Sequence, residues 1–163
     1  MNGEANGDEP PDSKRRGKHR DRRSLGPVPN LEMYVKPDWW RGIFNNLYLK
    51  TDGDVVDDND IDATNLSISA ITGVGSAAAI DTTVANLEVF NSTSGDVNIT
   101  NTGALTIAAV GPIFGDAISG ATNNGGNLTI IALSPLTVAA PVSASGIVTL
   151  TATDSGVGDD LTI

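Results

Sequence analysis

The chain has 163 residues and a formal net charge of −10, enough for one ordinary domain or a domain with a tail. It contains no cysteine, which excludes disulfides and thiolate-based metal or redox chemistry. No stretch approaches the ~18 consecutive apolar residues of a membrane span.

The charge is divided sharply along the chain. All 10 Lys and Arg residues lie at or before Lys50, and residues 51–163 hold acidic groups with no basic one. The aromatics Tyr34, Trp39, Trp40, Phe44 and Tyr48 are bunched together, and only Phe90 and Phe114 lie beyond them. Two stretches of such different chemistry are expected to form separate units.

Residues 1–30 carry only Ala5, Leu25 and Val28 as apolar content beside Met1. Too little surface can be buried there to offset the entropy of ordering, so a disordered basic tail is expected. Within it, Lys14, Arg15, Arg16, Lys18, Arg20, Arg22 and Arg23 form a run that could hold nucleic acid or another anionic surface. No aromatic interleaves with these charges to stack on bases, so a solvated tail is the preferred reading. The run is not followed by the apolar segment, about 7–15 residues long, that a signal peptide needs. That counts against export of the chain as written.

Residues 31–62 read as one short amphipathic helix and an acidic linker. Asp38 after Pro37 suits an N-cap, and Trp39, Trp40, Ile43, Phe44, Leu47 and Tyr48 recur at helical spacing, predicting a helix over Asp38–Lys50. Thr51-Asp52-Gly53-Asp54 is a turn signal that ends it. Asp52, Asp54, Asp57, Asp58, Asp60 and Asp62 make the densest acidic cluster of the chain. With Gly53 at the sixth position of an EF-hand loop, Tyr48 and Lys50 occupy ligand positions and Asn59 stands where a bidentate Glu belongs, so an EF-hand is rejected. A solvated linker is preferred to a looser Ca²⁺ site.

From residue 63 to 163 the pattern has period two. Leu66-Ser67-Ile68, Leu87-Glu88-Val89, Val97-Asn98-Ile99, Leu105-Thr106-Ile107, Leu128-Thr129-Ile130, Leu136-Thr137-Val138, Val148-Thr149-Leu150 and Leu161-Thr162-Ile163 alternate apolar with polar, between Gly, Asn, Asp and Pro. These are strands and turns. Gly95–Gly111 aligns without gaps on Gly126–Val142, matching Ile99 with Ile130, Leu105 with Leu136 and Thr106 with Thr137. A repeat of this length indicates stacked coils. The expected fold is therefore all-β, a parallel β-helix or solenoid-like repeat region of three or four coils from Leu66, with a β-sandwich as runner-up. The last strand pattern runs to Ile163 without a polar cap, so the repeat region reads as truncated.

Catalysis is poorly supplied. Residues 51–163 contain no His, Lys, Arg, Cys, Tyr or Trp, which leaves Asp81, Glu88, Asp96 and Asp116, each isolated in a turn or on a polar face. His19 lies in the basic tail. Asp154-Ser155-Gly156-Val157-Gly158 looks like the start of a nucleotide loop but is followed by Asp159-Asp160 and a strand, not a helix. The sequons at Asn65, Asn91, Asn98 and Asn127 are expected by chance in so Asn- and Thr-rich a region. No catalytic residue, metal ligand or cofactor is expected.

The stretches Leu66–Gly111 and Ser134–Ile163, with phrases such as TGVGSA, TSGDVNITNTGALTI and GDDLTI, resemble the repeat regions of giant bacterial exoproteins related to filamentous haemagglutinins. That resemblance implies a β-solenoid stalk, an adhesive or structural role, and an extracellular or cell-surface parent protein. Its implied partners are a surface ligand or further repeats of the same protein. A shorter segment, Met33–Asp58, is similar to the leader of some S-adenosylmethionine-dependent methyltransferases, although no cofactor sheet follows it. Three readings result: an adhesive surface repeat, a methyltransferase-related fusion lacking its catalytic domain, and non-specific nucleic-acid association through the basic tail.

Overall fold

A computed structural model describes residues 31–37, 44–55, 61–112, 117–153, 156, 158 and 160–163. The disordered-tail expectation for residues 1–30, with the basic run and His19, lies outside the described residues. All the regular structure described is strand: β1 Leu31–Pro37, β2 Phe44–Thr51, β3 Ile61–Ala70, β4 Ile80–Asn91, β5 Val97–Asn101, β6 Leu105–Ile107, β7 Ala121–Asn123, β8 Leu128–Ala132, β9 Leu136–Val138, β10 Val142–Ala144, β11 Val148–Ala152 and β12 Leu161–Thr162.

Every pairing except one is parallel, and each joins a strand to its counterpart one coil further along. β5, β8 and β11 stack in register as one side, with Ile80–Thr82 of β4 beneath them. β6, β9 and β12 form a second side on Asn86–Leu87 of β4, and β7 and β10 a third on Val89–Asn91. The long strand β4 therefore bends through all three sides. This is a parallel β-solenoid with a three-sided coil. The exception is β1, which runs antiparallel along β2 and covers the outer edge of the first rung.

The period-two pattern makes this coil because one set of residues must point inward on every side. Leu66, Ile68, Leu87, Ile107, Leu128, Ile130 and Leu136 are wholly buried, as are Ile99 and Leu105 to within 1%. Like stacks on like: Leu47, Leu66, Leu87, Ile107 and Val138 follow one another up the second side, and Val97, Leu128 and Val148 up the first. Each fully buried aliphatic side chain contributes roughly 1.5–3 kcal/mol relative to exposure. The matched pairs Ile99/Ile130 and Leu105/Leu136 are cross-strand neighbours, as the internal repeat predicts.

Buried asparagines close the corners. Asn101 accepts from the Val84 amide and the Thr82 hydroxyl, both at 2.9 Å, and donates to the Thr102 and Gly103 carbonyls. Asn91 accepts from the Gly73 amide at 2.9 Å and donates to Ser94 O and to the Asn123 side chain, both at 2.8 Å. Gly95 completes that corner at φ +83°, where a Cβ would come within 2.1 Å of the Thr72 carbonyl oxygen.

Two expectations need correction. The helix over Asp38–Lys50 is not formed across its described part, because Phe44–Thr51 is the strand β2, in register with β3 from Asn46↔Asn65 to Lys50↔Ser69. Leu47 and Leu49 fit both a helical and an alternating pattern, and pairing with β3 selects the alternating one by burying them in the common core. For the same reason the stack does not begin at residue 63: part of the Lys-bearing stretch shares the core of the acidic one. Residues 38–43, with Trp39 and Trp40, lie outside the described residues.

Candidate functional site

The outward positions of the coil form columns. On the second side Asn46, Asn65, Asn86, Thr106, Thr137 and Thr162 stand one above another, rung by rung. The first three are tied as a ladder: Asn65 Nδ2 donates to Asn46 Oδ1 at 2.6 Å, and Asn86 Nδ2 to Asn65 Oδ1 at 2.7 Å. On the first side Asn98, Thr129 and Thr149 make one column, and Thr100, Ile131 and Thr151 the next. Rungs of a parallel sheet are about 4.8 Å apart, so the column from Asn46 to Thr162 and that of Asn98, Thr129 and Thr149 are regular arrays of short hydrogen-bonding groups, whereas Ile131 interrupts the third.

The acidic residues are spread over this framework. Asp52, Asp62 and Asp81 are exposed, Asp54 accepts from the Ser76 amide at 3.2 Å, and Asp96 accepts from the Asn127 amide at 2.8 Å. The last two cap turns. Asp57, Asp58, Asp60 and Asp116 lie outside the described residues, as do Asp154, Ser155, Val157 and Asp159. No group of three or more His, Cys, Asp or Glu that could hold a metal occurs among the described residues. Of the sequons, Asn91 is wholly buried and bound on both ends of its amide, whereas Asn127 is exposed.

Glu88 departs from the expectation of an isolated acid on a polar face. It is wholly buried, on the outward column Tyr48–Ser67–Glu88, beneath the chain that follows β6. Its Oε1 accepts from the Ser67 hydroxyl at 3.0 Å, and its Oε2 from the amides of Val110 and Gly111. The sequence held a signal for this: Glu88 occupies the middle of a Leu-x-Val triplet where every other copy has Ser, Thr or Asn.

No helix among the described residues is long and apolar enough to cross a membrane. The three-sided parallel stack with Asn-stitched corners defines the chain as a β-solenoid repeat protein. Comparisons with protein-family models, curated proteins and solved structures returned no match, so neither family resemblance gains support from them.

Proposed function

We propose that the chain is a structural and adhesive repeat segment of a bacterial cell-surface or secreted protein, and that it carries out no catalysis. The observation that carries this reading is the column Asn46, Asn65, Asn86, Thr106, Thr137 and Thr162 along one side of a continuous stack. It offers one short polar group per rung to a long partner, which favours many weak contacts summed by avidity over a single enclosed substrate. The in-register core makes the segment a stiff spacer whose length grows by about 4.8 Å per coil. Bacterial origin and surface location rest on the repeat phrases of Leu66–Gly111 and Ser134–Ile163.

Beads carrying the full chain test the adhesive role on surfaces coated with polysaccharide, matrix protein or bacterial envelope. Retention above that of bare beads, reduced when Thr106→Ala, Thr137→Ala and Thr162→Ala are combined, is the expected result. Failure to adhere to all three surfaces, or turnover of a substrate by catalytic amounts of protein, would sink the proposal.

A further inference from the structure

The turn between β7 and β8, residues 124–127, contains the one Asn-Gly pair among the described residues, Asn124-Gly125. Asn124 is exposed and follows the wholly buried Asn123. The Asn124 amide donates to the Asn91 carbonyl at 2.9 Å, one coil below, and the Ser145 amide, one coil above, donates to the Asn123 carbonyl at 2.8 Å. Gly125 lies against Ser94 of the coil below, where a Cβ would come within 2.4 Å of the Ser94 carbonyl carbon. The packing of this corner therefore demands a glycine directly after an exposed asparagine.

That demand creates a chemical liability, because asparagine is thermolabile and a following glycine leaves its side chain open to attack by the next backbone nitrogen. We propose that Asn124-Gly125 is a self-modification site, at which Asn124 loses its side-chain amide through a cyclic imide, and that Asn123 holds the reaction in check while the corner is closed. Solvent base removes the Gly125 amide proton and the nitrogen attacks Asn124 Cγ. The new C–N bond forms as the Cγ–Nδ2 bond breaks, and the departing nitrogen takes up a proton and leaves as ammonia. Water then opens the ring at either carbonyl, giving aspartate or its isoaspartyl isomer. One water is consumed and one ammonia released, with no oxidant or reductant.

The restraint acts on the proton that the first step must lose. Gly125 N donates it to Asn123 Oδ1 at 2.8 Å. That oxygen is fixed in place: it also accepts from Asn91 Nδ2 at 2.8 Å, while Asn123 Nδ2 donates to Asn127 O at 2.6 Å and to Gly95 O at 3.2 Å. Deprotonated, the Gly125 nitrogen would lose its hydrogen bond and face a buried oxygen, which disfavours the reactive anion. Attack also requires the Asn124-Gly125 peptide to turn toward Cγ, against the bond to Asn91 O on one side and the Ser94 contact on the other. The isoaspartyl product adds a methylene to the main chain between residues 124 and 125, which a glycine wedged on Ser94 has no room to absorb. Once made, it keeps the corner from closing and so records that a coil has opened.

Peptide mass spectrometry of the full chain tests this, after prolonged incubation at mildly alkaline pH in buffer and in guanidinium chloride. Pepsin digestion separates Asn124 from the other two Asn-Gly pairs, Asn2-Gly3 and Asn6-Gly7. Asn124 should be converted readily in the unfolded chain and about tenfold or more slowly in the folded one. The retardation should match the hydrogen-exchange protection of the Gly125 amide, since both processes remove the same proton. Asn123→Ser, whose hydroxyl is too short to reach Gly125 N, should restore much of the unfolded rate while the Ile130 amide stays protected. Asn124→Ser, the residue type that follows the register partners Asn91 and Ala144, should abolish the modification and leave the melt unchanged. Asn124 unaltered in guanidinium, equal rates in the two solvents, or an unchanged rate in folded Asn123→Ser would each overturn the proposal. Should Asn123→Ser unfold, a mismatch in the parent between retardation and Gly125 protection would do the same.

Discussion

Truncating Ile130 measures how much the stack depends on in-register columns. Ile130 is wholly buried on β8 between Ile99 below and Leu150 above. Ile130→Ala removes three carbon groups at about 0.8 kcal/mol each and leaves a cavity that flanking rungs, fixed by their ladders, can close only in part. The expected cost is roughly 3–4 kcal/mol, a fall in Tm on the order of 10–15 °C for a domain of this size. Ile130→Asp goes further, because it places an unpaired carboxylate among aliphatic side chains, and the penalty should approach the whole stability of about 5–15 kcal/mol. The same change at Ile147, which is 69% exposed, should cost within about 0.5 kcal/mol. Urea unfolding followed by circular dichroism and by exchange at individual coils would give these numbers, the second readout being needed because repeat stacks can unfold coil by coil. Equal cost at Ile130 and Ile147 for aspartate would refute the assigned inward register.

Three further outcomes are expected. Asn91→Asp should destabilise by roughly 2–4 kcal/mol in thermal melts, since the Nδ2 donor that serves Ser94 O, Gly95 O and Asn123 Oδ1 becomes an oxygen facing oxygens. Binding to DNA or RNA, measured by filter retention, should be weak, sequence-independent, steeply salt-dependent and abolished by deleting residues 1–30. A truncated chain that still binds in moderate salt would contradict this, because the remaining surface is acidic. Calorimetric titration with S-adenosylmethionine should show no saturable binding, since a methyl-donor site needs a strand, a Gly-rich turn and a following helix, and the regular elements among the described residues are all strands.

The fold was legible where alternation and repetition agreed. Aligning Ile99 on Ile130 and Leu105 on Leu136 anticipated the true cross-strand neighbours, because stacked coils place equivalent residues against each other. The coil length was not legible from that alignment. Its offset of 31 includes an insertion between β6 and β7, and the regular steps of 19, 21 and 20 residues join segments with little sequence identity. β7, Ala121–Asn123, was missed because three small or polar residues carry no apolar alternation, and its place is set by pairing with Val89–Asn91. β2 was misread because aromatic residues at helical spacing preceded it and the strand that selects its conformation lies a coil away. Of the candidate residues, the isolated character of Asp81 and Asp96 was readable, but the burial of Glu88 depends on an insertion folding back from the next coil.

Disulfide trapping between adjacent rungs tests the three-sided parallel stack most directly, and a chain without cysteine gives it a clean background. Thr129 and Thr149 are register partners on outward positions of β8 and β11. With Thr129→Cys and Thr149→Cys, oxidation should join the pair rapidly and almost completely, since their Cα separation falls within the range of about 4.4–6.8 Å that a disulfide spans. Pairing Thr129→Cys with Thr151→Cys, two residues out of register, should give little bridging. Efficient bridging of the offset pair, or none of the matched pair, would contradict the solenoid and favour a sandwich of the same strands.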